Sequence, residues 1–128
     1  MYLKDFDKWT QLKKKINDRK NAPFAQQRDI WWCYFGVNVG AEEDGKNQLF
    51  ERPVLIIKVL SKTTSRIVPL TSKIKEDSNH FAIKFGKRQG SAILSHMKTI
   101  DTKRLSRKLA RLDTIQFNLV IERLKDTL

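Results

Sequence analysis

A single cysteine, Cys33, stands in the 128-residue chain, so no disulfide can form within it. It lies in the apolar run Ile30-Trp31-Trp32-Cys33-Tyr34-Phe35, where a buried, inert thiol is expected rather than a nucleophile. The two histidines, His80 and His96, stand far apart in sequence and cannot build a structural zinc site with one thiol, so neither metal nor cofactor is expected. Phosphate-binding glycine loops are missing too: Gly36, Gly40 and Gly45 are followed neither by a helix nor by Lys-Ser/Thr. No apolar run approaches the length of a membrane span. The first residues carry charge from Lys4 and Asp5 onward, unlike a signal peptide, and a soluble, cytoplasmic protein is the expectation. Internal repeats and low-complexity segments are absent.

Positive charge is what the chain has in excess. Lys and Arg number 26 against 14 Asp and Glu, a formal charge of +12. Such an excess favours a polyanionic partner, because neutralised phosphates release counterions on binding. An acidic protein or an anionic membrane surface would satisfy the same charge. Hydrophobic content of 40% is enough for one globular core.

Leu3, Phe6, Trp9, Leu12 and Ile16 recur at helical spacing with basic residues between them, which predicts an amphipathic helix over residues 2–20, closed by Pro23. Its apolar stripe would pack on the domain, and its basic face could add contacts to a partner. Residues 30–35 then read as an aromatic strand. A glycine-hinged loop with Glu42, Glu43, Asp44 and Glu51 follows. Further strands are expected over 53–60, 66–70, 80–85, 91–94 and 97–100, with a basic turn at 86–90. Residues 104–111 could be strand or irregular. Asp113 opens a last helix, with Gln116 as capping partner and Phe117, Val120, Ile121, Leu124 and Leu128 as its stripe. The pattern implies a small, β-rich α+β domain: a partly open barrel with a helix against it.

The stretch Phe50-Glu51-Arg52-Pro53-Val54-Leu55-Ile56-Ile57 is its most informative segment. Pro53 biases Arg52 toward an extended backbone, and the apolar run after it reads as a strand buried on both faces. Arg52 is thus pinned where a rigid strand meets an acidic loop. It could pair with Glu42, Glu43 or Asp44 and do nothing more, or it could serve as an anion clamp.

Five segments in order resemble the MazF/PemK toxins of bacterial toxin–antitoxin pairs. They are Ile30-Trp31-Trp32, Gly40-Ala41-Glu42, Arg52-Pro53-Val54-Leu55-Ile56-Ile57, Val68-Pro69-Leu70-Thr71-Ser72 and Lys98-Thr99-Ile100-Asp101. The resemblance runs from about Asp29 to the C-terminus, dividing the chain into an N-terminal helical extension, 1–28, and a toxin domain, 29–128. It implies an SH3-like, partly open β-barrel (MazF/PemK/CcdB-like) with a C-terminal helix, working as a homodimer. It further implies a metal-independent endoribonuclease that cuts single-stranded RNA, chiefly mRNA, stops translation, and is inhibited by a cognate antitoxin through an acidic, disordered segment. The related gyrase-poison toxins share the fold and act by binding, so a non-catalytic, gyrase-poison-like or RNA-binding module is the alternative.

By position, the resemblance puts the catalytic Arg on Arg52, the loop Glu on Glu42, the hydroxyl after the Val-Pro strand on Thr71, and a polar residue before the Thr-Ile-Asp segment on His96. The Glu42–Arg52 loop is longer than in compact members, and Ser95 stands where an acidic residue is common. Without a metal, RNA is cut by its own 2′-hydroxyl, which needs a base, charge stabilisation on phosphate and an acid. Arg52 suits the phosphate, with Thr71 donating a hydroxyl hydrogen bond. Glu42 is a candidate base or the salt-bridge partner of Arg52; His96 is a candidate acid–base group or a base contact. Ser72, Lys73, Trp31 and Lys98 are the expected RNA-binding residues, with either Trp31 or Trp32 free to stack while the other enters the core.

Overall fold

The computed structural model describes Lys8, Lys13, residues 23–35 and residues 51–128. Apart from Lys8 and Lys13, the residues of the amphipathic helix expected over 2–20 lie outside the described residues, as does the loop carrying Glu42, Glu43 and Asp44. Those described form β1 (Asp29–Tyr34), β2 (Glu51–Val59), β3 (Thr64–Thr71), β4 (His80–Phe85), β5 (Arg88–Ile93), β6 (Lys98–Asp101), β7 (Leu105–Arg111) and one α-helix, α1 (Thr114–Asp126). All strand pairs are antiparallel, in the order β4-β5-β3-β2-β1-β7, with β6 also on β3.

β3 is the strand that curls the sheet. Its first half pairs with β6 (Thr64↔Asp101 to Ile67↔Lys98), whereas its end pairs with β5 (Leu70↔Ala92, Thr71↔Ser91). β2 lies along its other edge and carries an irregularity between Ile56 and Lys58. One strand serving two neighbours along one edge must bend between them, and bulges increase that twist. The result is a curled, half-barrel sheet with the C-terminal helix against it, the β-rich fold expected from the sequence.

Side-chain alternation explains why the Val54–Ile57 run is wholly apolar. Leu55 and Ile57, with Ile30, Val68 and Leu70, face a core completed by Phe117, Val120 and Leu124 of α1. Val54 and Ile56 face the opposite way, into a second cluster with Trp31, Cys33, Phe35, Ile67, Ile100 and Leu105. A strand covered on both faces has no position left for a polar residue. Leu128, assigned above to the helix stripe, is instead 90% exposed, because α1 ends at Asp126.

Gln116 does more than cap. Asp113 accepts from the Gln116 backbone N–H at 2.8 Å, as an N-cap should. The Gln116 side chain reaches across to β4, accepting from Lys84 N at 2.8 Å and donating to Lys84 O at 2.7 Å. Gln116→Ala is expected to cost about 1–2 kcal/mol by loss of both bonds. A lower urea midpoint at unchanged m-value checks it.

Cys33 is fully buried, and burial pushes its thiol up to about 12. The folded state therefore favours the neutral thiol. Its contribution is complete below the ordinary value of 9.0 and is lost as pH rises from there toward 12. The native protein is expected not to react with Ellman's reagent at pH near 8, and to release one thiol only on unfolding, as absorbance would read directly.

Candidate active site

The strand register builds the site. Cys33 stands opposite Arg52 across β1–β2, and Val54 opposite Pro69 across β2–β3. Beyond that pair the two strands frame a recess, and Thr71 at the end of β3 pairs with Ser91 of β5. Arg52 and Thr71 therefore line one recess from two adjacent strands. Both lie inside strands, since β2 begins at Glu51 and β3 ends at Thr71, rather than in the flanking loops.

Arg52 is only 2% exposed, and its Nη1 donates to Leu70 O at 3.3 Å. Holding a guanidinium that deep takes away its conformational freedom, so its fork is preorganised for a planar anion. Two recesses meet at it. The larger, about 340 Å³, is bounded by Trp32, Glu51, Arg52 and Pro53 on one side. Leu70, Thr71, Ser72, Phe85, Arg88 and Gln89 form its other side. The smaller, about 170 Å³, is lined by Phe35, Arg52, Pro69, Ser95, His96, Met97 and Lys98.

The sequence-assigned residues divide between them. Thr71 and Ser72 stand with Arg52 in the larger recess; His96 and Lys98 stand with it in the smaller. Thr71 Oγ1 accepts from Lys73 N at 3.3 Å, which orients the hydroxyl, while the Lys73 side chain is exposed beyond the strand end. Lys98 Nζ lies 4.6 Å from the centre of the Phe35 ring, a cation–π contact. Glu42 lies outside the described residues.

Trp31 does not reach either recess. It is 9% exposed, packs in the core cluster with Val54 and Ile56, and its Nε1 donates to Asp29 Oδ2 at 3.3 Å. Trp32, on the alternate face of β1, is the tryptophan that lines the larger recess. Of the two tryptophans, Trp32 rather than Trp31, the one expected from the sequence to contact RNA, therefore faces a recess.

Glu51 and Arg88 line this recess and Arg107 stands beside the Trp32 ring; the sequence assigned none of the three a role in the site. Glu51, 1% exposed, accepts a hydrogen bond from Ser106 Oγ, and both its oxygens accept from Arg107 Nη1 at 3.1 Å. Arg107 Cζ lies 5.0 Å from the centre of the Trp32 ring, and Arg88 Cζ 5.7 Å from it. Glu51 had looked like one more loop carboxylate. Arg88 had fallen in a turn spanning 86–90, but the turn is tight: Phe85 pairs directly with Arg88, and Gly86 supplies the positive φ of 59° it needs. That puts Arg88 and Gln89 at the start of a strand facing the recess.

The fold is similar to that of MazF from Deinococcus radiodurans, at 19% identity and a TM-score of 0.66, covering 84% of this chain and 97% of that one. It is similar to a MazE–MazF complex from the same organism, at 16% identity and a TM-score of 0.61, covering 84% and 96%. An endoribonuclease in complex with its cognate antitoxin from a mycobacterial species gives 15% identity and a TM-score of 0.62, covering 82% and 93%. No curated protein sequence matches the chain. The family model described as PemK-like, MazF-like toxin of type II toxin–antitoxin system matches residues 26–128, and the chain belongs to that family. Among the described residues, no helix is long and apolar enough to cross a membrane.

Proposed function

We propose that this toxin is an endoribonuclease that cuts single-stranded RNA, chiefly mRNA, without a metal ion. The observation that carries the reading is Arg52: a buried guanidinium, sharing a recess with Thr71, at the junction of two recesses. A phosphate at that junction would have guanidinium and hydroxyl donors on its non-bridging oxygens, with room on either side for flanking nucleotides. The RNA 2′-hydroxyl attacks phosphorus and the 5′ oxygen leaves, giving a 2′,3′-cyclic phosphate and a 5′-hydroxyl. Charge gathers on the phosphoryl oxygens in the transition state, and preorganised donors aimed there supply the largest share of such catalysis.

Proton transfer is assigned to His96, which lines the smaller recess with Arg52, and to Glu42, whose role rests on the family resemblance. Ser72, Lys73 and Lys98 extend the basic track for the RNA backbone. Residues 29–128 form the toxin domain and 1–28 an N-terminal extension. The protein works in the cytoplasm as a homodimer and is inhibited by a cognate antitoxin. The formal charge of +12 suits both an RNA and an acidic antitoxin segment. The test is incubation with single-stranded RNA in excess EDTA. Cleavage that persists supports the reading, and cleavage that EDTA abolishes overturns its metal independence.

A further inference from the structure

We propose that Trp32 is the floor of a nucleobase subsite that sets sequence preference, with Arg88 occupying the position of the base in the free protein. The proposal rests on the ribonuclease reading of the Arg52 recess. Trp32 lies in the same recess as Arg52 and Thr71, so a nucleotide attached to a phosphate at Arg52 would reach the ring. An indole is half-buried there, with a rim of polar and charged side chains, the combination that stacks a base while leaving its edge to be read.

The two arginines near the ring are held differently. Arg107 stands across from Trp32 in the β1–β7 register, and both oxygens of the buried Glu51 accept from its Nη1 at 3.1 Å. Ser106, which donates to Glu51 and to Trp32 O, ties the same carboxylate to β1. This is a fixed wall. Arg88 instead comes from the exposed end of the β4–β5 hairpin, and its Cζ lies at 5.7 Å, farther from the ring centre than the 5.0 Å of Arg107. A cation–π contact at an exposed site is worth less than base–aromatic stacking. A base can therefore take the place of Arg88, whose guanidinium then turns to phosphate or to a base edge. Glu51 is a positioning residue: it acts on the base through Arg107.

Two readouts test this. Affinity is measured for a single-stranded oligonucleotide carrying only 2′-deoxyriboses, which the proposed reaction cannot cut. Cleavage preference is measured by mapping new 5′-hydroxyl ends across a complex RNA pool. Trp32→Leu is expected to weaken oligonucleotide binding roughly 10- to 100-fold. It should also relax preference at one nucleotide position and lower kcat/KM chiefly through KM. Trp32→Phe keeps a stacking face and should restore most of the affinity. Arg88→Ala, on the exposed hairpin, should alter preference at the same position and carries the test if Trp32→Leu does not fold. Unchanged affinity and unchanged preference in Arg88→Ala and in a folded Trp32→Leu protein overturn the proposal. A parent protein that binds the deoxyoligonucleotide through Trp32 yet cuts no RNA overturns the ribonuclease reading instead, leaving the stacking subsite standing.

Discussion

Arg52→Ala is expected to lower the rate of RNA cleavage by roughly 10²–10³-fold, the usual effect of removing one preorganised donor from a developing oxyanion. The loss should fall on kcat, since the donor matters most when charge has moved onto the phosphoryl oxygens. Arg52→Lys keeps the charge and most of the stem but not the planar fork, so it should recover only part of the activity. Arg52 is also 2% exposed and donates to Leu70 O, so the alanine variant loses stability as well as chemistry. Circular dichroism and thermal unfolding separate the two effects. A folded Arg52→Ala protein as active as its parent would remove Arg52 from the mechanism.

Gly90→Ala is the second large effect, and it comes from a residue that touches neither recess. A Cβ on Gly90 would lie 2.3 Å from the carbonyl oxygen of Thr71. That neighbour is backbone, so no side chain can swing aside, and β5 must move off β3 at the point where Thr71 pairs with Ser91. Overpacking of this kind costs on the order of 1–3 kcal/mol. The displaced strand also shifts Thr71 within the recess it shares with Arg52, and a misplacement of about 1 Å can lower the rate roughly 10²-fold. Gly90→Ala should therefore lower both melting temperature and kcat. Gly86→Ala is the useful contrast: nothing lies within 4 Å of its Cβ, but its φ of +59° makes the substitution a conformational strain away from Thr71. It should destabilise with less effect on kcat.

The two glycines also mark where the sequence could and could not be read. Both fall in a basic segment that looks like one turn, 86–90. Gly86 is the turn residue, and Gly90 is a strand residue required by close approach of a neighbouring backbone. Composition cannot separate these uses, because the second depends on where β3 passes. The same error concealed Arg88, which the strand aims at Trp32. By contrast, the continuous apolar run Val54–Ile57 could be read correctly as a strand covered on both faces, since burial of both faces leaves its own mark in sequence. The C-terminal helix was equally legible from Asp113, Phe117, Val120 and Leu124, whereas the Gln116 bridge to Lys84 depends on tertiary placement.

At the candidate site, ordered motifs singled out Arg52 and Thr71, and the ends of β2 and β3 bring both to one recess. Alternation along β1 predicts that one of Trp31 and Trp32 enters the core. Trp31 does so, opposite the buried Val54 of β2 and donating to the buried Asp29, partners not visible in a single strand's pattern. Glu51 was hidden for a related reason. Its partners Ser106 and Arg107 lie on β7, a segment whose basic composition resembles a solvated loop as much as a strand.

The chemistry of the RNA ends is the most direct measurement of the central claim. The protein, folded and in excess EDTA, is incubated with a defined single-stranded RNA, and both new termini are identified by mass spectrometry. Attack by the 2′-hydroxyl at a phosphate held by Arg52 predicts a 2′,3′-cyclic phosphate on one fragment and a 5′-hydroxyl on the other, with both products lost in Arg52→Ala. Fragments ending in 3′-hydroxyl and 5′-phosphate, or intact RNA accompanied by double-strand breaks in DNA on induction in cells, would contradict it.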